Sequence, residues 1–379
     1  MNETPAGLYL HVPFCSRICP YCDFAVRTGN PARRRRFVDH LVTEIELYRD
    51  CPLLFDTVYF GGGTPSMLTP EDLARILEAA RSCLDLAEGT RTYLEANPED
   101  VSGPALAEWR RLGIETLSLG VQSLDPHGLD FLGRQHTVED AVRAVSLSLD
   151  AGFGTVSVDL IYGRPEQSSS DWQRELDRAV ALEAQHITCY QLTVHDRTRF
   201  GLLAKRGQLT QLPNDAQAEL FRQTHRHLNA SGYQGYEVSQ FASDPAHRSR
   251  HNLKYWDHTP YLGFGPSAHS FEGHRRWWNL RRTDAWQDSV ARAVRPVESS
   301  ETLDHRALAL ESLMLGFRTY DGVDLERVRS RWGVDLAASN SELIGRLESD
   351  GVISVLEGRL APTLEGLAIA DSLATLFVI

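Results

Sequence analysis

"HVPFCSRICPYCDF", residues 11–24, places cysteines at 15, 19 and 22, and where a fourth could follow it has Phe24. Four cysteines, or two with two histidines, would close a tetrahedral structural zinc site. Three in eight residues with no evident fourth partner suit a [4Fe–4S] cluster better, because three thiolates then hold three irons and leave the fourth open to an outside ligand. His11 could complete a zinc site, but it lies in strand rhythm ahead of the loop. Cys51, Cys83 and Cys189 are scattered through apolar surroundings and read as small buried hydrophobes. Six cysteines in 379 residues do not form a secreted disulfide scaffold.

The cysteine loop follows a strand-like run, "LYLHV" (8–12), and similar runs recur at 56–60, 91–96, 114–120, 155–162 and 186–192. Helical patterns fill the intervals at 34–49, 70–83, 104–112, 137–151 and 171–183. One of these opens on "TPED" (69–72), with Pro at the first helical position after a capping Thr. Strands alternating with helices predict parallel pairing through right-handed crossovers. The alternation alone does not separate a doubly wound sheet from a barrel. Glu95, Gln122 and Asp159 fall at or near strand C-terminal ends, where both architectures place their chemistry.

After residue 213 the rhythm changes. A helix ending near Gly232 leads into an aromatic- and histidine-rich stretch (233–280) with little helical periodicity. From 301 the order is three helices and two short strands around Glu357-Gly358, which predicts a small winged-helix-like α+β domain. The chain thus divides into 1–232, a connecting region 233–300, and 301–379.

A net charge of −12 opposes polyanion binding, so no nucleic-acid partner is expected. The basic run Arg33 to Arg36 reads as the solvated first turn of an amphipathic helix. No apolar run reaches the roughly 18 residues of a membrane span, and "MNETPAGLYLHVPF" lacks the features of a secretion signal, so the expected setting is cytoplasmic.

"YFGGGTPS" (59–66) adds a glycine-rich loop after the second strand. Gly61, Gly62 and Gly63 let backbone groups approach a ligand closely. "YLEANPED" (93–100) carries Glu95, "LGVQSLD" (119–125) Gln122, "LGRQH" (132–136) Arg134 and "VDLIYGRP" (158–165) Asp159. With C-x3-C-x2-C and Tyr21 before its last cysteine, these motifs resemble the radical S-adenosylmethionine (SAM) superfamily. In their order they resemble its oxygen-independent coproporphyrinogen III oxidase-like family over nearly the whole chain. The resemblance implies a partial (β/α)6 TIM-like barrel in which Cys15, Cys19 and Cys22 ligate a [4Fe–4S] cluster. SAM would chelate the open iron and be cleaved reductively at its sulfonium. Tyr9, Gly62, Gly63, Thr64 and Glu95 would contact that SAM, with Tyr21 nearby. Gln122, Arg134 and Asp159 match positions that contact a second SAM in the dehydrogenase.

Within the family two readings compete. The dehydrogenase has a further cysteine where Phe24 stands, and an extension ahead of its first strand. "HNLKYW" (251–256) instead matches the H-N-x-x-Y-W motif of the HemW-type haem chaperone branch. That branch implies haem as cargo, with His251 as an iron ligand and Tyr255 and Trp256 as flat apolar surface. His247, His258, His269 and His274 could serve as alternative or second ligands, and "YLGFGPSAHS" (261–270) is expected to close over the site. The expected partner is a haem-acceptor protein, a membrane-associated respiratory enzyme among the candidates. The alternatives are the coproporphyrinogen III dehydrogenase or another radical SAM enzyme acting on a porphyrin, a methyltransferase or a haem-degrading one.

Overall fold

In the computed structural model, which describes residues 4–379, six parallel strands stand in sequence order: β1 (Ala6–Val12), β2 (Leu54–Gly62), β3 (Asp85–Ala96), β4 (Ile114–Gln122), β5 (Thr155–Tyr162) and β6 (His186–Gln191). The crossovers carry α1 (Pro31–Glu46), α2 (Pro70–Cys83), α3 (Gly103–Arg111), the short α4 (Pro126–Phe131), α5 (Val138–Asp150) and α6 (Ser169–Val180). Their N-termini follow the local chemistry. Thr69 Oγ1 accepts from the Asp72 N–H at 3.2 Å ahead of Pro70, and Thr137 and Ser168 each form a capping box with an aspartate three residues on. Arg33, Arg35 and Arg36 are exposed on the first turns of α1, as its amphipathic pattern predicts.

The strands' outward positions are apolar and lie under the helices. Leu8, Leu10 and Val12, then Leu117, Leu119 and Val121, are fully buried in one core with Phe37, Leu41, Ile76 and Trp172. The inward positions are polar or aromatic. Paired registers align Tyr9, Tyr59 and Tyr93 across three neighbouring strands, and Glu95 with Ser118 across the next pair.

The barrel does not close. After α7 (Arg199–Lys205) and α8 (Asn214–Ala230), β7 (Gln234–Gly235) pairs with β8 (Gln240–Ala242), which joins β6 antiparallel. Gly232, at φ +91°, ends α8 in the left-handed conformation that its position predicts. At the other edge β9 (Tyr261–Phe264) runs parallel to β1, and β10 (His269–Glu272), β11 (Arg275–Asn279) and β12 (Val297–Thr302) extend the sheet to twelve strands. The stretch 233–280 is therefore largely sheet edge. "YLGFGPSAHS" does not close over a site; its backbone is spent on pairing with β1 and β11.

Between β8 and β9 lies α9 (Arg250–Trp256), which holds the H-N-x-x-Y-W residues. It packs beneath the N-terminal ends of β1 and β2, where Lys254 Nζ meets Asp56 at 2.7 Å. The chain ends in a small winged-helix-like domain. Helices His305–Gly316, Leu325–Trp332 and Ser341–Ser349 pack with a three-stranded antiparallel sheet around Leu313, Phe317, Leu347 and Leu360. Its hairpin turns at Glu357 (φ +49°) and Gly358 (φ +77°), the two left-handed residues of a type I′ turn. No helix among the described residues is long and apolar enough to cross a membrane.

Candidate functional site

At the C-terminal ends of β1–β6 a cavity of about 650 Å³ opens between the strands and the cysteine loop. Cys15, Cys19 and Cys22 all face it, together with Tyr21, Gly62, Gly63, Thr64, Glu95, Gln122, Arg134 and Asp159. Residues from four strands, the cysteine loop and the loop after α4, 144 positions apart at the extremes, thus line one space. Tyr9 stands behind the wall, its ring stacked on Tyr59 at 6.1 Å and its hydroxyl 3.3 Å from His11 Nδ1.

The glycine loop is shaped to the cysteine loop. Gly62 adopts φ +111°, and a Cβ there would lie 2.6 Å from His11 Nδ1. A Cβ on Gly63 would lie 2.6 Å from the Phe14 carbonyl oxygen and 3.0 Å from Cys15 Sγ. Backbone therefore reaches the cysteines with no side chain between, the cradle a cluster with a bound ligand requires. Among the described residues no three His, Cys, Asp or Glu side chains converge on one metal ion. Thiolates around a cluster stand farther apart than that, because each binds a different iron. The donor set fits a three-cysteine cluster.

Burial pushes the Cys15 thiol up to about 11, against a hydrogen bond with Thr64, and raises Cys22 as well. Arg134 is enclosed beside them: Nη1 lies 3.6 Å from Cys19 Sγ, while Nη2 donates to Asn97 Oδ1 at 2.6 Å and to the Gly120 carbonyl at 2.9 Å. Burial opposes its charge, but Tyr21, Cys19 and Glu99 outweigh that and raise its pKa. Its Nε has no partner among the described residues, a buried donor left for a ligand. Asn97 also donates to Thr64 Oγ1 at 3.4 Å and so joins the two loops.

Glu95 accepts from the Tyr59 hydroxyl at 2.9 Å and from the Gly62 N–H at 3.2 Å. Burial raises its pKa to about 7; the Tyr59 bond opposes the rise and nearby Asp159 adds to it. Asp159, raised by burial, accepts from Ser118 at 2.8 Å and Ser157 at 3.2 Å. Gln122 sits at φ +68° where β4 loses register with β5, a conformation rare for a residue with a side chain. Two carboxyls, a guanidinium and a glycine backbone open to close approach around one cavity can bind a zwitterion with a sugar attached, and SAM is such a molecule.

His251 is elsewhere. It is 1% exposed on the barrel floor, with Nδ1 2.9 Å from Thr57 Oγ1 and Nε2 3.0 Å from the Tyr255 hydroxyl. Its ring stacks on Tyr59 at 4.9 Å, and burial lowers its pKa to about 3. Six residue steps along β2 and its loop separate Thr57 from Gly63, roughly 20 Å at a strand's rise. The expectation that His251 offers an imidazole to haem iron meets a ring whose two nitrogens are already bonded. His258 is likewise engaged, by Ser312 and Glu311 at 3.1 Å each, and neither His269 nor His274 borders the cavity.

Several wall residues were not singled out from the sequence: Asn97, inside a quoted motif, and Ser118, Ser157, Thr188, Tyr190 and His195 outside them. All but Asn97 and His195 occupy every-second positions of strands whose other positions are apolar, and that alternation was the available signal.

Known proteins resemble this chain over most of its length. Residues 9–179 match the family described as "Radical SAM superfamily", and residues 303–369 the "HemN C-terminal domain". A Mycobacterium tuberculosis protein named "Heme chaperone HemW" is 36% identical over 98% of this chain and 94% of its own length. A mouse protein, "Radical S-adenosyl methionine domain-containing protein 1, mitochondrial", is 33% identical over 98% of this chain and 87% of its own. The solved structure of coproporphyrinogen III oxidase (HemN) from Escherichia coli superposes with a TM-score of 0.83 over 98% of this chain and 90% of that one, at 20% identity, a likeness of fold. With the cysteine loop, the glycine loop and the open six-stranded barrel in place, the chain belongs to the radical SAM superfamily, in the branch that holds these HemW relatives.

Proposed function

We propose that this protein binds haem and passes it to an acceptor protein, while holding a [4Fe–4S] cluster on Cys15, Cys19 and Cys22 with SAM exchanging at the open iron. Gly62, Gly63, Thr64 and Glu95 hold the SAM, Tyr9 and Tyr21 pack nearby, and Gln122, Arg134 and Asp159 bind the far side of the same cavity. When bound, cluster and SAM supply a one-electron reduction of the sulfonium. The protein's own residues place the ligand, exclude bulk water with Tyr21 and Thr64, and fix charge through Arg134 and Glu95. The cytoplasm is the proposed setting, with 1–232 as radical SAM core, 233–300 as connecting region and 301–379 as C-terminal module.

One observation carries the carrier reading over turnover: Phe24, at the position of the dehydrogenase's further cysteine, stands 69% exposed on the rim of the cluster cavity. An exposed aromatic there offers a stacking surface to a porphyrin and cannot bind metal. The names of the relatives support the same choice. Ligation by His251 would require α9 to leave the floor and surrender its bonds to Thr57 and Tyr255.

The test is anaerobic cluster reconstitution followed by haem titration and, in parallel, a coproporphyrinogen III turnover assay. Stoichiometric haem binding without product is expected. Formation of protoporphyrinogen IX would overturn the reading in favour of the dehydrogenase.

A further inference from the structure

Side chains able to bind haem iron are few on the cavity wall. The cysteines are committed to the cluster. His186 lies deep, with Nδ1 2.7 Å from Ser157 Oγ and Nε2 2.8 Å from the Tyr236 hydroxyl. His247 has Nδ1 2.9 Å from Thr155 Oγ1 and sits at the N-terminal end of β5, far below the mouth. The remaining wall histidine is His195, exposed, with no side-chain hydrogen bond among the described residues.

Its backbone is fixed although its ring is not. The His195 carbonyl accepts from the Thr198 hydroxyl at 2.7 Å and the Thr198 N–H at 3.0 Å, and Thr198 is buried. A Cβ on Gly201 would stand 2.2 Å from that carbonyl oxygen, so only glycine lets α7 pack so closely. The segment is tied to the cysteine loop as well: the Phe200 N–H donates to the Pro20 carbonyl at 2.9 Å, and the Phe200 ring lies 6.4 Å from Tyr21. The imidazole is thus free in orientation but anchored in place beside the cluster loop.

Its neighbours on the wall complete the chemistry. Phe24 and Leu192 supply apolar surface, and Arg17 is an exposed cation with no salt bridge among the described residues. Haem is a flat apolar disc with two carboxylates on one edge and an iron open on both faces. Imidazole, aromatic face and unpaired guanidinium are the three groups that recognise it.

We infer that His195 is the axial ligand of the transported haem, which lies across the cavity mouth against Phe24 with its propionates toward Arg17. The inference rests on the haem-binding reading above. A single protein ligand suits a carrier, since the opposite face of the iron stays open to the acceptor.

The test uses the cluster-reconstituted full chain titrated with ferric haem, followed by Soret absorption and electron paramagnetic resonance. His195→Ala is expected to weaken binding ten- to a hundredfold and to remove the imidazole-ligated signature, and free imidazole should restore that signature. Arg17→Gln should weaken binding several-fold and flatten its dependence on salt. His251→Ala, if it folds, should keep the imidazole signature; Thr57→Val, which frees the same ring without deleting it, covers the case in which it does not. An unchanged spectrum and affinity in His195→Ala overturns the inference and leaves the haem reading standing. Loss of the signature only in the floor variants does the same. A wild-type protein that binds no haem overturns both.

Discussion

At the residue scale, Glu95 joins the site's two demands, binding and burial. Its carboxyl faces Tyr59 and the Gly62 N–H in a cavity that burial has made hostile to charge, and its pKa rises from an ordinary 4.5 to about 7. A raised carboxyl favours the folded state fully below about 4.5 and loses that contribution as pH climbs through about 7. Glu95→Gln abolishes the titration. Its stability should therefore gain on wild type between pH 5 and pH 8.5, by about 1–2 kcal/mol once water in the cavity is allowed for, read as a relative rise in melting temperature. SAM binding should weaken by about tenfold in the same variant, because an amide cannot supply the anion. Calorimetry at the two pH values and SAM titration would check both halves; a variant whose difference from wild type is no more favourable at pH 8.5 than at pH 5 would contradict the sign. Glu95 was legible from its place at a strand end. Asn97, which accepts from Arg134, was not, because an asparagine before a proline reads as an ordinary turn.

At the element scale, α9 stoppers the barrel. TIM-type barrels fill their centres with branched aliphatic side chains. Here the centre is lined by Tyr, Ser, Thr and Glu, and Tyr190 is 45% exposed on an inward position because its ring faces open space. A hollow barrel needs a floor, and α9 provides it through His251, stacked on Tyr59, and through Lys254, paired with Asp56. Lys254 is only 6% exposed, and that carboxylate is its counter-ion. Asp56→Ala should cost about 3–5 kcal/mol, read as a drop in the denaturant midpoint, by leaving a buried ammonium unpaired. Asp56→Ala with Lys254→Met should recover most of the loss; failure to recover it would place the cost elsewhere. The six strands and five of their helices were readable, within a few residues except that β3 starts at Asp85, six residues ahead of the run at 91–96, since period 2 and period 3.6 are strong over such lengths. The helix α9 was not, because seven residues are too short to show a period, although Ser249, whose Oγ accepts from the Asn252 N–H at 3.2 Å, marked its start. The edge strands were hidden for another reason: β12, "VESSET", is almost wholly exposed and owes its form to pairing with β11.

At the scale of the whole molecule, two sets of buried groups titrate against each other, and the sequence shows neither because burial belongs to the fold. Burial lowers His11 and His225 to about 4 and His186 and His251 to about 3, from an ordinary 6.5. It raises Glu44 and Glu237 to about 8 and Glu95 to about 7. The depressed histidines favour folding above 6.5 and lose that as pH falls toward 3; the raised carboxyls favour folding at low pH and lose it as pH rises through 7 to 8. From pH 9 to 6.5 the native state takes up protons the unfolded chain does not. Stability should therefore increase as pH falls, by up to about 1.4 kcal/mol per proton for each pH unit. Between about 6.5 and 4.5 the unfolded chain protonates four histidines while the native state keeps three extra carboxyl protons, so the slopes nearly cancel. Below about 4.5 the carboxyls titrate in the unfolded chain too, the histidines stand unopposed, and stability collapses. The cluster-free protein should thus show a urea midpoint that rises from pH 9 to 7, stays level to about 5 and drops steeply below 4.5. A midpoint that climbs from pH 7 to 9, or falls sharply between 6.5 and 5, would mean that one of the two sets is not buried as described.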